Sequence, residues 1–343
     1  MIVISNSLTN VIDEGCVKVA GSLVKRLKNA NKDTYVISFE RQSELSDKHL
    51  ELNKLLVSKE LKKIIKTKKD KVLYFPFPAR PIATALRIFT LSRYAKNGLD
   101  VLVSMQTKID PISKLILKLS GANFLLLSED AYNRFKAIVG EKRVTYLKTG
   151  VDTKKFLPVS VDEQKKLKVK YGFDPEKPLV LHVGHLNRGR NVGELTKISK
   201  EYQVLLVVST LTKSEQDAEL RADLLSNSNI RIMDSYIPNI QEIFAMCDVY
   251  FFPVIEYGKC IDVPLSCMEA ASCNKPIVVT KYGEMKAFDG KEGFYFIDSF
   301  DEENVNKRIK EALLIEKCTT RNSVLDYDWD NAIDVLLKNK SKV

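Results

Sequence analysis

Three histidines, His49, His182 and His185, are all the chain possesses, and none lies beside a cysteine pair. Metal ligation is therefore poorly supported, and no metal is expected. The six cysteines (Cys16, Cys247, Cys260, Cys267, Cys273, Cys318) show no CxxC spacing and several sit in apolar runs, where a thiol acts as a small hydrophobe. That pattern reads as a reduced, cytoplasmic protein rather than a disulfide scaffold. Nowhere does the sequence approach the roughly 18 to 20 consecutive apolar residues of a membrane span. Met1 leads straight into Ile-Val-Ile-Ser without a charged n-region, so neither a signal peptide nor an anchor is expected. Internal repeats of short period are missing too, and low complexity is confined to the lysine-dense Lys54–Lys71.

What the chain has is length, core-forming residues and positive charge. At 343 residues and 45% hydrophobic it can build two ordinary domains, each with its own core. A net charge of +10 biases it toward anionic partners: nucleic acid, anionic lipid headgroups or phosphorylated small molecules. Zinc-finger spacing and RNP-like aromatics do not accompany the lysines, which ranks nucleic acid below the other two.

Short, continuously apolar runs recur with helical segments between them: Ile2–Ser5, Thr34–Phe39, Lys71–Phe75, Asp100–Ser104, Asn123–Leu127 and Val144–Leu147. After a polar, lysine-rich passage around Ser160–Lys170 the rhythm restarts at Leu179–Val183, Gln203–Ser209, Asn229–Met233, Asp248–Phe252, Pro276–Thr280 and Phe294–Ile297. Strands buried on both faces of a parallel sheet read this way, whereas half-exposed antiparallel strands alternate. The expected fold class is α/β, with two Rossmann-like doubly wound parallel-sheet domains facing a cleft, over residues 1–158 and 159–325. A closing helix within 326–343, carrying Trp329, Ile333 and Leu336, is expected to pack back on the first domain. Open parallel sheets take ligands beyond the carboxyl ends of their strands.

Three constellations carry chemistry. In IDVPLSCMEAASCNKPIVVT (Ile261–Thr280), the spacing of Ser266 and Glu269 fits a capping box. The helix it opens is nearly apolar all round, hence buried, and a buried helix start directs N–H groups and partial positive charge at whatever lies before it. Such an end can hold a phosphate, while Glu269, one turn in, is placed to accept hydrogen bonds from sugar hydroxyls. In LVLHVGHLNRGRNVGEL, a buried strand meets Gly184 and a turn with Arg188, Gly189 and Arg190. Glycine permits close approach and an arginine fork pairs with phosphate oxygens, whereas His185 reads equally well as a solvated turn residue. YLKTGVDTKKFLP (Tyr146–Pro158) reads as an interdomain connection.

These segments, in this order, resemble the GT-B glycosyltransferases, specifically the retaining group 1 family, also called family four. The matches are Gly150-Val151-Asp152 with Phe156 and Pro158; Val183-Gly184-His185-Leu186 with Arg190; and Pro264-Leu265-Ser266 with Glu269-Ala270 and Lys275-Pro276-Ile277-Val278-Val279. Asp248–Pro253 looks like a further family strand. The resemblance implies an N-terminal acceptor domain and a C-terminal domain for a nucleotide-sugar donor, UDP- or GDP-linked, with no cofactor. By the same resemblance the helix start at Pro264, Leu265 and Ser266, together with Gly184, His185 and Arg190, would meet the donor's diphosphate. Glu269 would hold the ribose, Tyr236 and Ile237 would lie near the base, and Gly15 would approach the phosphates from the first domain. Arg190, Glu269 and Asp262 are the catalytic candidates. The chain departs from the pattern where the family's first glutamate falls on Ile261, with Asp262 next door, and where its usual arginine falls on His185.

The implied reaction moves a sugar to a hydroxyl acceptor, a surface glycan or a lipid-linked one, at the cytoplasmic face of a membrane. Pro76–Lys96 interleaves Arg80, Arg87 and Arg93 with Phe77, Phe89 and Tyr94 and reads either as an ordinary amphipathic helix packed on its own sheet or as a place of contact with an anionic membrane surface. Two other readings stay open: a donor-binding but catalytically silent protein, and a sugar-nucleotide isomerase or hydrolase, against which the scarcity of histidine argues.

Overall fold

The computed structural model describes residues 1–10, 14–77, 81–105, 108–209 and 217–338. The chain divides into two compact units, one formed by Met1–Thr149 with the helix that begins at Trp329, the other by Gly150–Asp328.

The first unit is built on seven parallel strands: β1 (Ile2–Ser5), β2 (Tyr35–Ser38), β3 (Lys48–His49), β4 (Val72–Phe75), β5 (Leu99–Val103), β6 (Asn123–Leu126) and β7 (Val144–Tyr146). Their order across the sheet is β3-β2-β1-β4-β5-β6-β7. Between them run α1 (Gly15–Ala30), α2 (Lys59–Lys68), α3 (Pro81–Tyr94), α4 (Pro111–Ser120) and α5 (Glu129–Val139). Helix starts follow local chemistry: Ser58, Asp110 and Ser128 each accept a hydrogen bond from the backbone N–H three residues on. Ile2, Ile4, Ile37, Tyr74, Val101 and Phe124 form the centre of its core.

The second unit holds six parallel strands in the order β10-β9-β8-β11-β12-β13. They are β8 (Leu179–Gly184), β9 (Gln203–Val208), β10 (Ile230–Met233), β11 (Val249–Phe252), β12 (Ile277–Val279) and β13 (Phe294–Phe296). Its helices are α6 (Val161–Lys170), α7 (Ala218–Leu225), α8 (Ile240–Met246), α9 (Leu265–Ser272) and α10 (Glu302–Leu313). Val180, Val204, Leu206, Phe251 and Val278 fill this core. The last helix, α11 (Trp329–Lys338), packs on α1, where Arg26 donates to Asp330 at 3.0 Å.

Continuous burial explains why the apolar runs became strands: β1, β4, β11 and β12 are buried at every residue. The ends lie within a residue of those read from the sequence, and β3, two residues long, carried no apolar signal. In each sheet the strand order reverses once, between β1 and β4 and between β8 and β11. Outside the carboxyl ends of those strands, the diverging connections leave an opening.

Candidate functional site

In the second unit the connections following β8 and β11 converge at the reversal point. The first is a short turn: Asn187 caps it by accepting from the Arg190 N–H at 3.1 Å, and Asn191 closes it in the left-handed conformation with φ 56°. The two arginines of this turn go separate ways. Arg188 is exposed and donates to Asp217 and Glu219 at 2.8 and 3.2 Å. Arg190 turns inward, its Nη1 reaching Cys260 Sγ at 3.6 Å, while its buried Nε has no hydrogen-bond partner among the described residues. A half-buried guanidinium with a donor to spare has the chemistry to receive an anion.

Behind the turn lies His182, fully buried on β8. Its Nδ1 shares a hydrogen bond of 2.8 Å with the Phe251 carbonyl, which makes Nδ1 the donor and leaves Nε2 an acceptor without a partner among the described residues. Burial holds the ring neutral, with its pKa down to about 4, and the Arg190 charge pushes the same way. A Cβ on residue 184 would come within 2.9 Å of this Nε2 and 3.4 Å of Arg190 Nη1, so Gly184 is required for the two side chains to sit as they do.

Helix α9 is buried at every residue but Ser266, as its apolar composition implies. The capping box is not formed. Pro264 is the N-cap, with no side-chain cap bond, and the first intrahelical bond runs from Cys267 N–H to Pro264 O at 3.0 Å. Ser266 is thus inside the helix, where its side chain hydrogen-bonds the Tyr250 hydroxyl instead. That hydroxyl also meets the backbone of Val183, 3.3 Å from both its N and O, and so ties the start of α9 to the end of β8. The N–H groups of Leu265 and Ser266 stand ahead of the first helical bond, at the open end. Glu269 is in the second turn of α9 and 3% exposed.

Cys260, Asp262 and Tyr282 complete the cluster. The Tyr282 hydroxyl donates to Cys260 O at 2.6 Å and accepts from Cys260 N–H at 3.2 Å, and its proton is held by burial and by the charge of Asp262 nearby. Asp262 is fully buried, and its carbonyl accepts the Glu284 N–H at 2.8 Å. Gly283, at φ +49°, makes this approach feasible: a Cβ there would lie 2.2 Å from the Asp262 carbonyl. Ile261, where the resembled family has a carboxylate, is buried.

The structure therefore gathers Gly184, Arg190, Asp262, Pro264, Leu265 and Ser266 at one end of one sheet, with Glu269 on the adjoining helix. His185, half-buried, follows Gly184 in the same turn, and its carbonyl accepts from Asn187. Tyr236 and Ile237 follow β10, two strands from β8 on the same carboxyl edge, which is about 10 Å away at ordinary strand spacing. Tyr236 is half-exposed, and among the described residues no hydrogen bond or ring contact joins it to the group. Gly15 belongs to the other unit, as the first residue of α1.

Lys259 was not legible as a site residue. Its Cδ and Cε lie 2.7 Å, and its Nζ 3.1 Å, from where a Cβ on Gly189 would sit, so it lies across the glycine between the two arginines. A second cation thus reaches the turn from seventy residues away. Gly189 between two arginines was the available signal. Gly150 has a similar role for the Gly-Val-Asp segment: a Cβ there would fall 2.8 Å from Val263 and 3.4 Å from Leu265.

Helix α3 takes up most of the segment considered for membrane contact; it buries Arg87 and leaves Arg93 exposed. Ala85, Arg87, Ile88, Leu91 and Tyr94 face inward, and the Arg87 guanidinium donates to Lys54 O and Glu40 at 2.8 and 3.4 Å. An arginine satisfied inside the protein is not offered to a lipid surface. Arg80 lies outside the described residues. Among the described residues no helix is long and apolar enough to cross a membrane, and no group of three or more His, Cys, Asp or Glu is placed to hold a metal ion.

Residues 163–324 match the family model for glycosyl transferases group 1. Among solved structures, a glycosyltransferase from Rickettsia africae superposes with a TM-score of 0.78 at 15% identity, covering 99% of this chain and 97% of that one. Alr3699/HepE from Anabaena, in complex with UDP, gives a TM-score of 0.77 at 13% identity over 100% of this chain and 99% of the other. The UDP-GlcNAc 2-epimerase from Neisseria meningitidis, bound to UDP-GlcNAc, gives 0.60 at 13% identity, with both chains covered in full. No curated protein matches the chain in sequence. At such identities the structural likeness speaks for the fold.

Proposed function

The chain is a GT-B protein of the group 1 glycosyl transferases, and from that premise we propose that it is a retaining hexosyltransferase. The donor is a nucleoside-diphosphate sugar, UDP- or GDP-linked, and the acceptor is a hydroxyl of a glycan or lipid-linked glycan. One observation carries the reading: the half-buried guanidinium of Arg190, whose buried Nε is unpartnered among the described residues, stands at the sheet reversal together with the uncapped start of α9.

In this scheme the second unit takes the donor and the first the acceptor. Arg190, Lys259 and the Leu265 and Ser266 amides receive the diphosphate and stabilise the negative charge that grows on it as the glycosidic bond breaks. Glu269 accepts hydrogen bonds from the ribose hydroxyls, and Tyr236 and Ile237 border the base. Retention follows if the leaving phosphate oxygen takes the acceptor proton on the face it has just vacated, through a transition state of oxocarbenium character. Asp262 remains the further catalytic candidate beside Arg190 and Glu269, and His182 supports the arginine turn from behind. A neutral His182 leaves the positive field of the site to the arginine, the lysine and the helix. His185 and Gly15 complete the phosphate surroundings.

Two experiments test this. UDP or GDP at a hundredfold excess over Kd adds about 2.7 kcal/mol of stability by linkage, a rise of several degrees in melting temperature. Arg190→Gln and Glu269→Ala are each expected to abolish that rise, and its persistence in both would refute the donor site. Mass spectrometry after incubation with a panel of nucleotide sugars and a membrane extract then identifies the product, and NMR its anomer. Donor turnover without any acceptor would replace the transferase with an isomerase or hydrolase. Binding without product under every condition would favour the silent protein, the reading that buried Ile261 supports.

A further inference from the structure

Helix α4 of the first unit, PISKLILKLS, turns an apolar stripe to solvent. Ile112, Leu115 and Leu119 are 60%, 58% and 60% exposed. At about 100° per residue they fall within an arc of about 60°. The opposite side of the helix, with Ser113, Leu117 and Ser120, is the one buried against the unit. Three large aliphatic side chains side by side on a helix that also has a satisfied inner face are unlike the singly scattered apolar residues of an ordinary surface.

Charge identifies what covers them. Lys114 and Lys118 run along one side of the stripe, and no acidic residue occurs within the helix. Beside them, between α4 and α5, lies a recess of about 300 Å³ lined by Lys114, Lys118 and Arg134 with Ile109, Ala137 and Ile138. Asp110 caps α4 through the Ser113 N–H at 2.9 Å, Glu141 pairs with Lys136 at 2.7 Å, and Glu129 and Asp130 occupy the first turn of α5. Arg143 adds its positive charge at the far end, donating to the carbonyls of Leu117, Lys118 and Ala122. A second copy docking through a two-fold axis would set these lysines against their own images. A leaflet of anionic lipid matches both features at once, taking the aliphatic side chains below its headgroups and the cations among its phosphates.

We propose that α4 is a membrane-docking element, which seats the first unit on an anionic lipid surface through Ile112, Leu115 and Leu119 and holds headgroup phosphates in the recess formed by Lys114, Lys118 and Arg134. The proposal does not depend on the transfer reaction.

Flotation of the full chain with vesicles of phosphatidylcholine alone, and of phosphatidylcholine mixed with phosphatidylglycerol, tests it. Binding is expected only to the mixed vesicles and is expected to weaken with salt. The triple variant Ile112→Ser, Leu115→Ser, Leu119→Ser should lower the partition coefficient on the order of a hundredfold. Lys114→Gln and Lys118→Gln should each lower it about fivefold. All five positions are exposed, so melting temperature and the response to UDP should stay as in the wild type, which separates this result from any failure of the donor site. Equal binding to both vesicle types, no binding to the mixed vesicles, or undiminished binding of the triple variant would each overturn the proposal. So would sedimentation showing a dimer that the triple variant dissolves, which would assign the face to a second copy.

Discussion

His182 makes a pH dependence that the second unit alone should display. Its ring is fully buried, its ordinary pKa of 6.5 is lowered to about 4 by that burial, and the charge of Arg190 adds to the effect. The folded chain keeps the ring neutral between those two values while the unfolded chain protonates it. Unfolding therefore takes up a proton in that window, and stability is full above about pH 6.5 and declines as pH falls toward about 4. The gap of about 2.5 pH units corresponds to roughly 3 kcal/mol in all, and to about 2 kcal/mol at pH 5, or some thirtyfold in the opening equilibrium. Hydrogen exchange of the full chain, read on a peptide covering Leu179–Gly184, measures that opening directly. His182→Gln keeps a donor for the Phe251 carbonyl and removes the titration. The expected result is a protection factor in the wild type that falls about fifteenfold more than the variant's between pH 6.5 and 5. Trp329, the chain's single tryptophan and part of the first unit, supplies a fluorescence control that should not separate the two proteins. Parallel pH profiles for wild type and variant would refute the reasoning, since they would mean that the imidazole is not held neutral by its surroundings.

Other substitutions probe how the site is supported. Gly283→Ala places a Cβ 2.2 Å from the Asp262 carbonyl at a left-handed φ, and should cost at least about 2 kcal/mol in a urea titration followed by circular dichroism. Arg321 donates to the carbonyls of Phe156, Ser272 and Thr153, each at 2.8 Å, and thereby pins the end of α9 to the Gly-Val-Asp segment. Arg321→Ala should cost roughly 3 kcal/mol by removing three charge-assisted hydrogen bonds, only the Phe156 carbonyl keeping a second donor in the Ser272 hydroxyl, and Arg321→Lys should not restore it, because one ammonium cannot span all three.

Much of this architecture was written locally. Ile2–Ser5 or Ile277–Val279 is apolar at each position because both faces of a parallel strand are covered, so no context is needed to recognise it. The same logic identified α9 as buried from Leu265, Cys267, Met268, Ala270 and Ala271. Its cap was misread for an equally local reason: Ser266 and Glu269 have capping-box spacing, but Tyr250 offers the serine a partner from another strand. The amphipathic pattern of Pro81–Tyr94 likewise says that one face is apolar without saying which face is inward, and only packing put Arg87 inside and left Leu115 on α4 outside.

The sequence by itself determined the elements, their parallel pairing and the two-unit division, since hydrophobic periodicity acts over a few residues and is set by the chain's own covalent order. The tertiary structure decided which of two arginines turned inward. Arg188 and Arg190 are chemically identical and two residues apart. Strand β11 pairs directly with β8, so the connection that follows it brings Cys260 and Lys259 against the turn that ends in Arg190. Proximity across seventy residues is a product of sheet order, and no local pattern encodes it.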